Sequence, residues 1–159
     1  ARLGRPHGKA EAWYVLEGGA VHLGLRQDVP RELLAGLVAE QRTDELLSLL
    51  HRIEVGPGDV VYVPPGVLHA IGEGVLLLEV QEPEDLSILL EWHGFALDGA
   101  ADGHLGLGFG TALAAVETTA RPDPAGSSLV SRRGASELLP PEAAPNFRPE
   151  RHRVSGVTT

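Results

Sequence analysis

Strand-forming residues dominate the start of the chain. Glu11-Ala-Trp-Tyr-Val-Leu-Glu17 runs into Gly18-Gly19, and an extended pattern resumes from Ala20 to Leu25. Two such runs joined by a glycine pair predict a β-hairpin. The period then changes. Leu33, Leu34, Leu37 and Val38 recur at helical spacing, and Leu46, Leu47, Leu49 and Leu50 do so again after Thr43-Asp44. Pro30 suits a first helical turn and Thr43 or Asp44 suits an N-cap, so two short helices are expected as an insertion at about 30–51.

From Ile53 the period returns to two. Ile53, Val55, Val61 and Val63 fall in short runs cut by Gly56-Pro57-Gly58-Asp59 and Pro64-Pro65-Gly66. Ala70-Ile71, Val75 to Val80 and Ile88 to Trp92 predict further strands. Short strands separated by Gly/Pro turns at this spacing indicate a small β-barrel or sandwich. After Phe95 the pattern loosens. Gly99 to Gly110 reads as loose chain and Thr111 to Glu117 as a short helix; Arg121 to Pro149, with six of the twelve prolines, reads as irregular linker. Phe147 to Thr159 is expected to begin another strand. The division is therefore 1–96 as a β-barrel with a helical insertion, 97–146 as helix and linker, and 147–159 as the start of a possible second barrel.

Composition narrows the chemistry. The 159 residues contain no cysteine, which excludes disulfides, thiolate metal sites and a cysteine nucleophile. Any metal must be held by His, Asp, Glu or Gln. A net charge of −9, with twelve scattered arginines and Lys9 as the only lysine, argues against nucleic acid. No apolar run approaches the roughly 20 residues that cross a bilayer. Nothing at the start reads as a signal peptide, so the cytoplasm is the default compartment. Methionine is absent even at position 1, which points to a processed chain or part of a longer one.

The segment Gly58-Asp-Val-Val-Tyr-Val-Pro64-Pro-Gly66-Val-Leu-His69 is the most informative. One glycine turns the chain into a strand, Pro64-Pro65-Gly66 ends it, and the next strand begins with His69. An imidazole fixed at the start of a rigid strand can point into a barrel and coordinate a metal. The spacing resembles the second motif of the cupin superfamily, whose members are double-stranded β-helix (jelly-roll) barrels. Glu11, six residues, then Gly18 fits the second half of the first cupin motif. Gly8-Lys9-Ala10-Glu11-Ala12-Trp13-Tyr14 further resembles the Gly-Lys-Thr-Glu-x-Trp-Tyr signature of type I mannose-6-phosphate isomerases, and the likeness extends from about Gly8 to Gln81. Phe147 to Gly156 is more weakly similar to the entry to that family's second barrel.

The resemblance implies a mainly β, cupin-type barrel and an aldose–ketose isomerase. One zinc ion would be held by a Gln-x-His pair, a glutamate and a histidine. Carried over by motif, Glu11 and His69 become zinc ligands and Lys9 the active-site cation, with the Gln-x-His pair just upstream of Ala1. His7 offers a competing ligand at the generic cupin spacing from Glu11, although Arg5 stands where the first generic histidine would be. Such an isomerase moves a proton between C1 and C2 through an enediol, and the metal stabilises the developing oxyanion. Lys9 and Glu11 are two apart and share one face of a strand. Glu79 and Gln81 share a face of a later strand and are candidate cavity-lining residues.

One departure bears on the substrate. The family has an arginine after this strand, whereas Glu82 to Gly94 has none. Between Arg52 and Arg121 there is no Lys or Arg, against eleven Asp and Glu. Phosphate recognition ordinarily uses Arg, Lys or a helix N-terminus. His93 is a candidate acid or base there, with a surface histidine as the plainer reading. Two functions therefore stand: an isomerase of a sugar or sugar phosphate, or a cupin that binds a carbohydrate or small acid without turning it over. Composition and spacing leave the oligomeric state open.

Overall fold

The computed structural model describes residues 8–83, 86–124, 129–135 and 137–152. Among the described residues, seven strands form two antiparallel sheets. β1 (Glu11–Glu17), β4 (Val60–Val63), β6 (Leu76–Gln81) and β7 (Val130–Ser131) form one sheet in the order β6-β1-β4-β7. β2 (Gly19–Leu25), β3 (Leu50–Val55) and β5 (His69–Ile71) form the other in the order β3-β2-β5. The mainly β, cupin-type jelly roll expected from the sequence is the observed architecture.

The expected β1–β2 hairpin does not form. β1 pairs with β4 and β6, and β2 pairs with β3 and β5, so Gly18 carries the chain from one sheet to the other. A Cβ on Gly18 would stand 2.4 Å from the Val55 carbonyl oxygen, a closeness only glycine permits. Trp13 and Val15 from one sheet and Val21, Leu23 and Ile53 from the other fill the space between them. Each is at most 2% exposed, which makes this the core that fixes both inner faces.

The helical insertion is present as α1 (Arg31–Ala39) and α2 (Thr43–Ser48). Pro30 precedes α1, and Arg42, not Thr43, occupies the cap position of α2. Leu34 and Val38 of α1 join Leu25, Val29, Leu50, Leu113 and Val116 in a second apolar cluster. The region after Phe95 thus packs against the insertion through α4 (Phe109–Ala112) and a following 3-10 turn, Leu113–Ala115. A further short helix, α3 (Gly99–Asp102), is capped by the Asp98 carboxylate, which accepts from the Ala101 N–H at 3.1 Å.

Ile88 to Trp92, expected as a strand, is not one. The Gln41 side chain occupies the backbone groups a ladder would need. Its Oε1 accepts from the Trp92 and His93 N–H groups at 2.7 and 3.0 Å, and its Nε2 donates to the Leu90 carbonyl at 3.2 Å. Within 121–149 a strand appears that the pattern did not announce, β7, paired to β4 at Val130↔Val61. Residues 147–152 carry no strand, and the remainder of the expected final strand, 153–159, lies outside the described residues.

Asp59 ties β7 to the barrel. It is buried, accepts from the Gly56 and Arg133 N–H groups at 3.0 and 2.8 Å, and pairs with the Arg132 guanidinium at 2.8 Å. Burial alone would raise its pKa, but these hydrogen bonds and the Arg132 charge together hold it below the usual carboxylate range. A depressed folded-state pKa adds stability that is complete above the unfolded value, 3.8, and is lost as pH falls through the folded one. Asp59→Asn is expected to cost about 2 kcal/mol at neutral pH. In urea melts its deficit should shrink below about pH 4, as the wild-type carboxylate also becomes neutral.

Candidate active site

Three side chains named from the sequence meet at one end of the barrel, with Lys9 and Glu11 largely buried and the His69 side chain 34% exposed. On β1, alternation sends Glu11, Trp13 and Val15 inward, and all three are buried. Lys9, two residues before Glu11, lies on the same side with its side chain 10% exposed. His69 begins β5 in the opposite sheet, directly across from the inward-facing Leu23. The Glu11 carboxylate therefore comes from one sheet and the His69 imidazole from the other.

The turn chemistry around Pro64-Pro65-Gly66 makes this meeting possible. Gly66 has φ +82°, and a Cβ there would lie 2.6 Å from the Ala115 carbonyl oxygen. The Val67 N–H closes the turn on the Pro64 carbonyl at 3.2 Å, and the Glu117 N–H bonds the Gly66 carbonyl at 2.9 Å. Gly8 approaches the same turn: a Cβ on it would be 3.1 Å from the Pro65 Cβ. The two sequence motifs are thus in contact just below the residues that bear the chemistry.

Glu11 Oε1 stands 3.0 Å from Lys9 Nζ, and Oε2 stands 3.6 Å from His69 Nε2. The Trp13 indole N–H donates to Oε2 at 3.1 Å. His69 Nδ1 is 2.8 Å from the Val67 carbonyl oxygen. A carbonyl only accepts, so Nδ1 carries the hydrogen and, in the neutral ring, Nε2 presents its lone pair to Glu11. A lone pair and a carboxylate oxygen facing each other this closely can share one cation. Trp13 also meets the His69 ring edge-on, with centroids 5.5 Å apart, and so fixes its orientation.

The far wall is β6. Its register sets Gln81 opposite Glu11 and Glu79 opposite Trp13, on the same face of the sheet, although both residues are exposed. Gln81 Oε1 accepts from Lys9 Nζ at 2.9 Å. Beyond β6, Glu82 clasps the start of β1: its N–H bonds the Ala10 carbonyl at 3.1 Å and its Oε2 accepts from the Ala10 N–H at 2.8 Å. The Ser87 hydroxyl reaches Lys9 Nζ at 2.8 Å. The sequence had not singled out Trp13, Glu82 or Ser87 as functional. Only Trp13 left a signal, since it continues the period-two series of Lys9 and Glu11.

Other candidates fall elsewhere. His93 is exposed, and its backbone N–H bonds Gln41. His7 lies outside the described residues. Among the described residues no group of three or more His, Asp or Glu side chains is gathered closely enough to hold a metal by itself. A hollow of about 300 Å³ is lined by Ala12, Tyr14, Val80, Leu138, Leu139 and Arg151 among others, but not by Lys9, Glu11 or His69. Ala12 and Tyr14 are in opposite phase to Glu11, so that hollow belongs to the outer face of the sheet. No described helix is long and apolar enough to cross a membrane.

No family model matches the chain. The mannose-6-phosphate isomerase ManA of Bacillus subtilis is 38% identical over 85 residues, covering 52% of this chain and 26% of that protein. The mannose-6-phosphate isomerase of Streptococcus mutans is 40% identical over 81 residues, 49% of this chain and 24% of that protein. Over about half its length the chain is similar to mannose-6-phosphate isomerases.

Among solved structures, the mannose 6-phosphate isomerase of Bacillus subtilis superposes with a TM-score of 0.52 at 27% identity, covering 69% of this chain and 34% of that one. A protein of Archaeoglobus fulgidus assigned as a mannosephosphate isomerase gives a TM-score of 0.63 at 24% identity, over 86% of this chain and 39% of that one, a likeness of fold. The chain spans about a quarter of the length of the curated mannose-6-phosphate isomerases it matches.

Proposed function

We propose that this chain is part of a zinc-dependent aldose–ketose isomerase of the mannose-6-phosphate isomerase type, interconverting mannose 6-phosphate and fructose 6-phosphate. The observation that supports it is the approach of Glu11 and His69, from opposite sheets, to 3.6 Å with Lys9 beside them. Glu11 and His69 are the right donors for zinc, and the Nδ1–carbonyl contact is the arrangement that aims a histidine Nε2 at a metal. They would hold two positions of a four-coordinate shell, with the other ligands from outside the described residues. When bound, zinc supplies Lewis-acid stabilisation of negative charge on the substrate oxygens.

The chain's own residues do the rest. Lys9 holds its ammonium where an enediolate oxygen develops charge, and its 10% exposure lets that charge act with little screening. Trp13 fixes both Glu11 and His69, so the donor pair is set before substrate arrives. Gln81 and Glu79 present polar atoms to sugar hydroxyls on the same face of the sheet as Glu11.

A second reading, a non-phosphorylated sugar or a carbohydrate-binding cupin without turnover, is favoured by the absence of Lys and Arg from 53 to 120. Metal analysis with turnover assays on mannose 6-phosphate, free mannose and lyxose separates the readings. About one zinc per chain with turnover of the phosphorylated sugar is the expected result. Zinc with turnover of free sugars alone moves the substrate to the second reading. Zinc with no turnover leaves the binder, and no bound metal overturns the isomerase.

A further inference from the structure

We infer that Ser87 is a positioning residue that sets the Lys9 ammonium in the site, an inference resting on the reading of Lys9 as the site's cation. Among the described residues, Lys9 Nζ is partnered by Glu11 Oε1, Gln81 Oε1 and Ser87 Oγ at 2.8–3.0 Å. Glu11 and Gln81 lie opposite each other on neighbouring strands and fix the ammonium from one side. Ser87 comes from irregular chain 78 residues later and is half-buried. Its segment is strapped at both ends. Glu82 binds Ala10 upstream through two hydrogen bonds, and the Gln41 amide holds Leu90, Trp92 and His93 downstream. A hydroxyl carried on a segment anchored twice is a defined acceptor, and it confines a long, flexible side chain that would otherwise sample several rotamers.

Lys9 is the only lysine, so protein labelled with ¹⁵N-lysine gives one side-chain ammonium signal. At neutral pH a confined, hydrogen-bonded ammonium exchanges its protons slowly, and a freed one exchanges fast. In wild type the signal is expected to be visible and slow to exchange. Ser87→Ala and Ser87→Val should raise the exchange rate about tenfold, and Ser87→Thr, which restores the hydroxyl, should return it to the wild-type value. Backbone spectra of each variant report on folding. The inference is overturned if Ser87→Ala folds and leaves the exchange rate unchanged, or if Ser87→Thr exchanges as fast as Ser87→Val. This readout needs neither metal nor sugar, so its failure is distinct from failure of the isomerase reading.

Discussion

Glu11→Gln is expected to lower zinc affinity by at least about 100-fold and to remove turnover with it. Losing the carboxylate charge strikes two interactions at once. The amide is a poor ligand for a divalent cation compared with a carboxylate. It also leaves the nearly buried Lys9 ammonium without its counter-ion at 3.0 Å. Glutamine keeps the shape and can still accept from the Trp13 indole through its carbonyl oxygen, so the barrel should remain folded. Zinc titration by calorimetry, alongside a thermal melt, checks this outcome. Wild-type affinity in a folded Glu11→Gln variant would remove Glu11 from the ligand set.

Trp13→Ala should carry the largest stability effect, about 3–5 kcal/mol, because the side chain is fully buried between the two sheets. Domains of this kind have only about 5–15 kcal/mol in total, so the urea midpoint should fall steeply. Trp13→Phe divides packing from chemistry. It restores most of the ring volume but not the indole N–H that holds Glu11 Oε2. Its stability should recover to within about 2 kcal/mol of wild type, while zinc affinity stays about tenfold weaker. Equal recovery of both quantities would show that the indole N–H does not position the carboxylate.

The candidate site and the strand pairing around it were marked in the sequence in different ways. His69 was singled out by glycine and proline at fixed offsets, which are backbone instructions, whereas Lys9 and Glu11 were assigned through the resemblance to the isomerase signature. Gly66 adopts a positive φ in the turn into β5, and the Val67 carbonyl and the Trp13 ring then orient His69. Strand partners carry no such mark. Period-two alternation shows that 11–17 and 20–25 are extended, and Gly18-Gly19 shows that the chain changes course, but neither shows which strands will lie alongside. A hairpin and a crossing between sheets begin with the same local pattern.

Ile88 to Trp92 failed for a different reason. Its apolar residues suit a strand, but one amide side chain from the helical insertion, Gln41, takes up its backbone groups. A contact spanning 49 residues leaves no local trace. Ser87 and Glu82 were missed likewise: serine and glutamate in a loop are ordinary, and only folding brings them to Lys9 and Ala10.

The most direct test is anomalous diffraction at the zinc absorption edge from crystals grown with zinc. The account predicts a single strong peak between the two sheets, about 2.0–2.2 Å from both a Glu11 carboxylate oxygen and His69 Nε2. A zinc peak bound elsewhere on the chain, with Glu11 and His69 still facing each other and no ion between them, would contradict it.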